Sequence, residues 1–471
     1  MFRRFAIATV VIAAIFGLVG RITSPKSPIE APVAAVAADQ GSIGTAADLS
    51  PVHGLKPWPE IIDFWQSRVD ANPVDYPSRT ELGLALNVGG SEQGDLDLYR
   101  QAETVFAEAI DLNPNYAKAH LGLASSLIAQ HRFQEAIDQI ELVVTDRAES
   151  PPTLALLGDA NLGYGNYDQA AAAYERLVRL ERSAPTVSRL ARLRSEQGRS
   201  REAVELATEA LALSEELSLR PNSQAFYHFQ LGHFLFLDGN ASASTSAPDT
   251  ASDTASNDAY RRALEIDPDH GGAAEGLAFS LAASGDLAAA ADVYHSLIEQ
   301  SPAADLHGLY ADVLRQLGQP EQAAAQEKLG RAAAIDSFDD PAERRHLVGY
   351  HLTRNPEIAV ALARADLEQR HDSGAYDALA WALYHVDQFE EASQMIDAAL
   401  ASGNRNPATL YHAAAINFAL AAGDQTAKDE TAAKDAAEYL DQALAINPNF
   451  HPTEAADAQA LAREVDQKLA S

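Results

Sequence analysis

Fourteen histidines and 67 acidic residues, with no cysteine, make metal binding and general acid–base work the first chemistries to test on this chain. His346 and His351 stand five apart, as do His228 and His233. A metal held from one helix face wants partners three or four apart, and a spacing of five splays them. Asp267-Pro268-Asp269-His270-Gly271 opens like a calcium loop, but its glycine is misplaced and no glutamate closes it. A helix–helix turn is expected there instead. The chain contains no H-E-x-x-H, no G-x-S-x-G and no phosphate-cradling glycine loop. Lack of cysteine removes disulfides, thiol nucleophiles and Cys-type zinc sites together. The residues therefore predict no catalytic, metal or cofactor site, and the chain is read as a non-enzyme.

The elements that would position any site announce themselves by period. Ala102, Ala136 and Ala170 stand 34 residues apart, and each precedes a bulky residue by four: Phe106, Ile140 and Tyr174. A fixed period of this length means one helical hairpin used repeatedly, its core made only between neighbours. Alanine is abundant and strand-forming runs are scarce, so the fold class is all-α.

Leu157-Gly158 followed by Ala170, Tyr174 and Leu177 marks one unit, and Leu277-Ala278, Leu281, Ala290, Tyr294, Leu297 and Pro302 marks another. Ala102, Phe106, Ala109 and Pro114 belong to the first unit, and Leu231-Gly232, Tyr260, Ala263 and Pro268 to the fifth. Leu347, Ala359 and Ala363 suggest a shortened eighth, Leu379-Ala380, Ala392 and Ile396 a ninth, and Ala413-Ala414, Ala436, Leu440 and Pro448 a tenth. In these positions the chain resembles the tetratricopeptide repeat, W-x2-L-G-x2-Y, then A-x3-F, then P. The leading tryptophan is replaced by His120, His228, His307, Tyr376 and others. The resemblance implies a right-handed α-solenoid of about ten hairpins over residues 77–452, working as a scaffold for partner proteins.

Residues 57–76 read as an N-terminal capping helix and 453–471 as a C-terminal one, because terminal repeats need a polar outer cover. Three hairpins carry insertions, at Asn87–Leu98, Gly239–Asp258 and Ala421–Lys434. The first holds Gly89, Gly90 and Gly94, and the second is low in complexity and expected to be mobile.

Ahead of the array, Arg3 and Arg4 precede an uncharged run, Phe5–Gly20. Sixteen helical residues span about 24 Å, somewhat short of a roughly 30 Å hydrocarbon core, a gap that snorkelling flanking arginines can bridge. Residues 1–23 are read as an uncleaved signal anchor and 24–56, rich in Pro and Ala, as a tether. The leading positive charges place the array outside the cytoplasm, as in bacterial membrane-anchored proteins of this family. A cleaved signal peptide, with Ala35-Val36-Ala37 as its processing site and a secreted or periplasmic product binding peptides or saccharides, is the alternative. Net charge is −32; the first 56 residues hold five Lys/Arg and three Asp/Glu, so the other 415 carry 30 against 64. Such a surface repels phosphate backbones and excludes nucleic acid as a partner.

In this family the first helix of each hairpin lines the concave face. The positions flanking the key leucine then point inward: Phe226, Phe229, His233 and Phe236 in the fifth unit, Asp377, Trp381 and Tyr384 in the ninth, and Tyr411 and Phe418 in the tenth. Arg315 and Arg345 give the wall a charged middle. Aromatic residues exposed in a groove can anchor an extended peptide or a partner helix. Equally, these rings can pack on neighbouring first helices. The lysine–asparagine clamp that the family uses for acidic peptide tails is not matched here.

Overall fold

A computed structural model describes residues 57–470, apart from 94, 145–149, 217–220, 240–253, 339, 341–342 and 422–426. A first helix, Trp58–Ala71, is followed by ten helical hairpins. They occupy residues 76–112, 117–144, 151–180, 184–216, 221–266, 271–300, 304–336, 344–367, 373–401 and 407–446, and a last helix, Glu454–Ala470, closes the array. No strand occurs among the described residues. The protein is an all-α solenoid. The segment read as an anchor and tether, 1–56, lies outside the described residues, as does most of the low-complexity insertion. Among the described residues no helix is long and apolar enough to cross a membrane.

The alanine–bulky pairs are the joints of the array. Ala102, Phe106, Ala136, Ile140, Ala170 and Tyr174 are all fully buried. Phe106 shows why a small residue must face it. A Cβ on Gly83 of its own hairpin would come within 2.7 Å of the Phe106 ring, and one on Gly122 of the next hairpin would overlap it. One ring thus fills the space between two first helices, which only glycine leaves open. Burying such a ring stabilises the joint by roughly 1.5–3 kcal/mol.

One expectation changes. The glycine-bearing stretch after Asn87 is not a loop: the first helix of hairpin one runs unbroken over Tyr76–Gln93. Gly89 lies under the Trp58 ring, with 2.7 Å left for a Cβ, and Gly90 under Tyr99, with 2.9 Å. These glycines admit aromatic rings to a helix rather than end it. The charged insertion of hairpin ten has residues able to extend a helix, and its described part from Ala427 on does lie in that hairpin's second helix, Ala427–Ile446. The Asp267–Gly271 segment is a helix–helix turn, as expected, with His270 Nδ1 accepting from Ala273 N–H at 3.2 Å to cap the next helix.

The array coils until it meets itself. His371, at the junction of hairpins eight and nine, donates its N–H to the Tyr164 carbonyl of hairpin three at 2.9 Å. Ser373 N–H donates to the Tyr167 hydroxyl at 2.8 Å, across 206 residues. Asn447 Nδ2 donates to the Phe236 carbonyl at 2.8 Å. A Cβ on Gly165, Gly198 or Gly239 would overlap the carbonyl oxygen of His371, Gly403 or Ile446 respectively. Each pair is separated by the same 206 residues to within one, which is close to six periods of 34. From each of these turns to the junction it meets the chain passes through five and a half hairpins, one of them the lengthened fifth, and these make one rung of the coil, with the second rung docked on the first.

Candidate functional site

The inner wall near the C-terminal end carries the densest chemistry. Trp381 stacks on His412 at 4.1 Å and 16°, and on Tyr384 at 4.6 Å and 14°, making a column of three rings. Offset-parallel packing of this kind adds to the apolar burial of each ring. His412 is held from both sides, with Asp377 Oδ1 at 2.8 Å from Nδ1 and Glu454 Oε2 at 3.4 Å from Nε2. Thr409 Oγ1 donates to the second Asp377 oxygen at 3.0 Å, and Trp381 Nε1–H donates to Glu454 Oε1 at 3.2 Å.

Burial would lower the His412 pKa, but Asp377 and Glu454 together outweigh it and hold it up at about 9. Burial would likewise raise Glu454, yet His451, His412 and the Trp381 N–H bring it down to about 2. The imidazole is therefore a cation between two carboxylates. With both ring nitrogens engaged, it is a structural ion pair rather than a base awaiting a proton. Among the described residues no group of three or more His, Asp or Glu is placed to hold a metal ion.

The sequence-expected wall residues fall into two separate groups. Trp381 and Tyr411 are buried in one apolar cluster, with Tyr384 and Phe418 half-buried at its margin. Phe229 is buried in another, beside half-buried Phe226. Phe229 packs on His270 at 5.1 Å, and Phe236 meets Phe279 edge-on at 5.8 Å. His233 stacks on Phe229 at 6.5 Å, and burial pushes its pKa down to about 4. The wall is thus not one continuous exposed aromatic floor. Phe229, Phe236, Trp381 and Tyr411 are each less than a tenth exposed, because side chains of their own and neighbouring hairpins pack on them.

The charged middle is committed to internal pairs. Arg345 joins Asp366 at 2.9 Å and Asp372 at 3.2 Å, while exposed Arg315 pairs with Asp312 and Glu327. His346 Nδ1 lies 2.8 Å from Asp305, and despite burial that carboxylate holds its pKa up at about 9. His120 and His307, at one repeat position, each bond a glutamine of their own hairpin at 2.7 Å, Gln139 and Gln326. That shared bond is a packing role. His412 and Glu454 escaped the inward-position rule. His412 lies one step beyond Tyr411, and Glu454 enters from the last helix, 42 residues on.

Ten hairpins, each in contact with the next, define an α-solenoid. Residues 95–160 and 254–305 each match a tetratricopeptide-repeat family model. The chain thus carries tetratricopeptide repeats, whose fold serves as a scaffold for protein–protein contacts. No curated protein sequence matches it. Among solved structures it is similar to yeast Tom70, at 13% identity and TM-score 0.37, over 87% of this chain and 92% of that one. It is similar also to Cut9 in the APC/C hetero-tetramer Cut9–Hcn1, at 13% identity and TM-score 0.30, over 87% and 93%. YrrB, described as a TPR protein with an unusual peptide-binding site, aligns at 15% identity and TM-score 0.29, over 44% of this chain and 95% of its own.

Proposed function

We propose that the protein is a membrane-tethered, extracytoplasmic scaffold that holds a protein or peptide partner against its inner wall, at hairpins nine and ten. The observation that carries this reading is the ring column, whose outer member Tyr384 is only half-buried while Trp381 and His412 behind it are locked in place. A half-exposed ring backed by a rigid, ion-paired base is the form that interface anchors take. Phe418, half-buried on the same wall with Lys468 5.5 Å over its ring, extends the surface. The tether rests on Arg3, Arg4, the apolar run 5–20 and the Pro- and Ala-rich stretch that follows.

Photo-crosslinking in cells tests the wall. A crosslinker at position 384 should capture a discrete partner that one at exposed Ile335, on an outer helix, does not. Equal patterns from both positions would refute the reading. Sequencing the mature N-terminus decides the tether: a start near Ala38 would replace the anchor by a cleaved signal, and the scaffold would then be secreted or periplasmic.

A further inference from the structure

We propose that the seam where the coil meets itself is a latch, which opens and closes without unfolding any hairpin and thereby covers or uncovers the inner wall. Among the described residues the seam differs in kind from the joints between successive hairpins. Hairpins join one another through apolar clusters, and none of the six clusters among the described residues contains members from both sides of the seam. What crosses it is polar or thin. There are the three hydrogen bonds to Tyr164, Tyr167 and Phe236, the Tyr164–His371 ring pair at 4.8 Å, and the Phe279–His451 pair at 5.2 Å. Arg370 lies 5.9 Å over Phe133 of hairpin two. Opening this surface returns hydrogen-bonding groups to water and breaks no apolar cluster. It therefore belongs to the low-cost end of the motions open to the fold.

The closure is nevertheless specific. Hairpin turns three, four and five close their first helices with left-handed glycines at φ of 101°, 68° and 66°, and those are the turns seated on backbone. Turns six and seven use glycine too, at φ of 89° and 72°, but a Cβ on Gly285 or Gly318 would meet nothing within 4 Å. Turns two and nine have His131 and Asp387 at the same left-handed position. Turn geometry alone thus tolerates a side chain, whereas the three docked turns do not. What the latch covers is also defined: His451 sits against the Phe279 ring, and Asn447 against the backbone of Phe236. The latch stands whether or not a partner occupies the wall, because its test reads only shape.

Gly165→Ala and Gly198→Ala carry both a left-handed penalty and a clash across the seam. Gly285→Ala and Gly318→Ala carry the penalty alone and serve as matched controls. The full chain of each is measured for far-UV helicity, radius of gyration by X-ray scattering, and binding of the apolar dye ANS. The seam variants should keep their helicity, expand, and bind more dye, while the controls stay at wild-type values. Equal radius and dye binding in both sets overturns the latch. If a seam variant loses helicity, a cysteine pair decides. A Cβ on Gly403 stands 4.0 Å from the Gln197 Cα, within reach of a disulfide, and the chain has no cysteine to compete. Oxidised Gln197→Cys/Gly403→Cys should bind less dye than its reduced form. No crosslink in a natively helical protein, or equal dye binding in the two forms, overturns the proposal.

Discussion

Raising the pH from 6 to 9 should loosen the last helix, and the structure sets how far. His412 has its pKa lifted from an ordinary 6.5 to about 9 by Asp377 and Glu454. A raised histidine stabilises fully below its unfolded value, and that contribution drains away as pH climbs through the folded value. The window is therefore pH 6.5 to 9. A shift of this size corresponds to at most about 3 kcal/mol at a fully buried ring. Glu454 has the opposite sign: lowered from 4.5 to about 2, it contributes above pH 4.5 and fails as pH falls toward 2. Both describe the same ion pair, so their contributions are not summed, and docking is tightest between about pH 4.5 and 6.5. The assay is proteolytic cleavage within Glu454–Ala470 at pH 6, 7.5 and 9, using a protease whose own pH profile is known. Cleavage of the wild type should accelerate toward pH 9. His412→Gln, which cannot carry charge, should be cleaved faster at pH 6 and show little further change. Parallel pH slopes for the two proteins would refute the ion-pair argument.

Four further outcomes follow from the packing, the ion pairs and the caps. Phe106→Ala should cost about 3–5 kcal/mol, because its ring fills the space beside Gly83 and Gly122, and urea denaturation should show the loss first in the N-terminal hairpins. Ile335→Ala, at an exposed outer position, should stay within about 0.5 kcal/mol of wild type in the same assay. Asp305→Asn removes the carboxylate 2.8 Å from His346, so NMR titration should find that imidazole releasing its proton well below the wild-type value of about 9. Thr254→Ala removes the side-chain cap that Asn257 N–H donates to at 3.2 Å, and should cost about 1 kcal/mol by urea denaturation.

The hairpins were legible because each is specified locally. Ala102 with Phe106, or Ala170 with Tyr174, encodes a joint within one turn of helix, and repetition multiplies a weak signal. The helix over Tyr76–Gln93 was misread because Gly89 and Gly90 carry two opposite meanings. In isolation they break a helix, and under the rings of Trp58 and Tyr99 they are the residues that let it pass. Which meaning holds is decided by Trp58, on another helix. The ion pair of His412 failed for a similar reason: Asp377 and Glu454 lie 35 residues before and 42 after it, on different helices. No spacing rule within a hairpin reaches them.

The closure was invisible for a deeper reason, and that reason bears on function. A solenoid's sequence specifies the rotation from one hairpin to the next, a small angle repeated through many joints. Whether two rungs touch depends on the sum of those angles, so no local residue pattern records it. What sequence can record is permission. Gly165, Gly198 and Gly239 leave room for the backbones of His371, Gly403 and Ile446, and the two rungs stay in register although hairpins five and ten are both lengthened. These glycines preserve a contact that the period alone neither requires nor forbids.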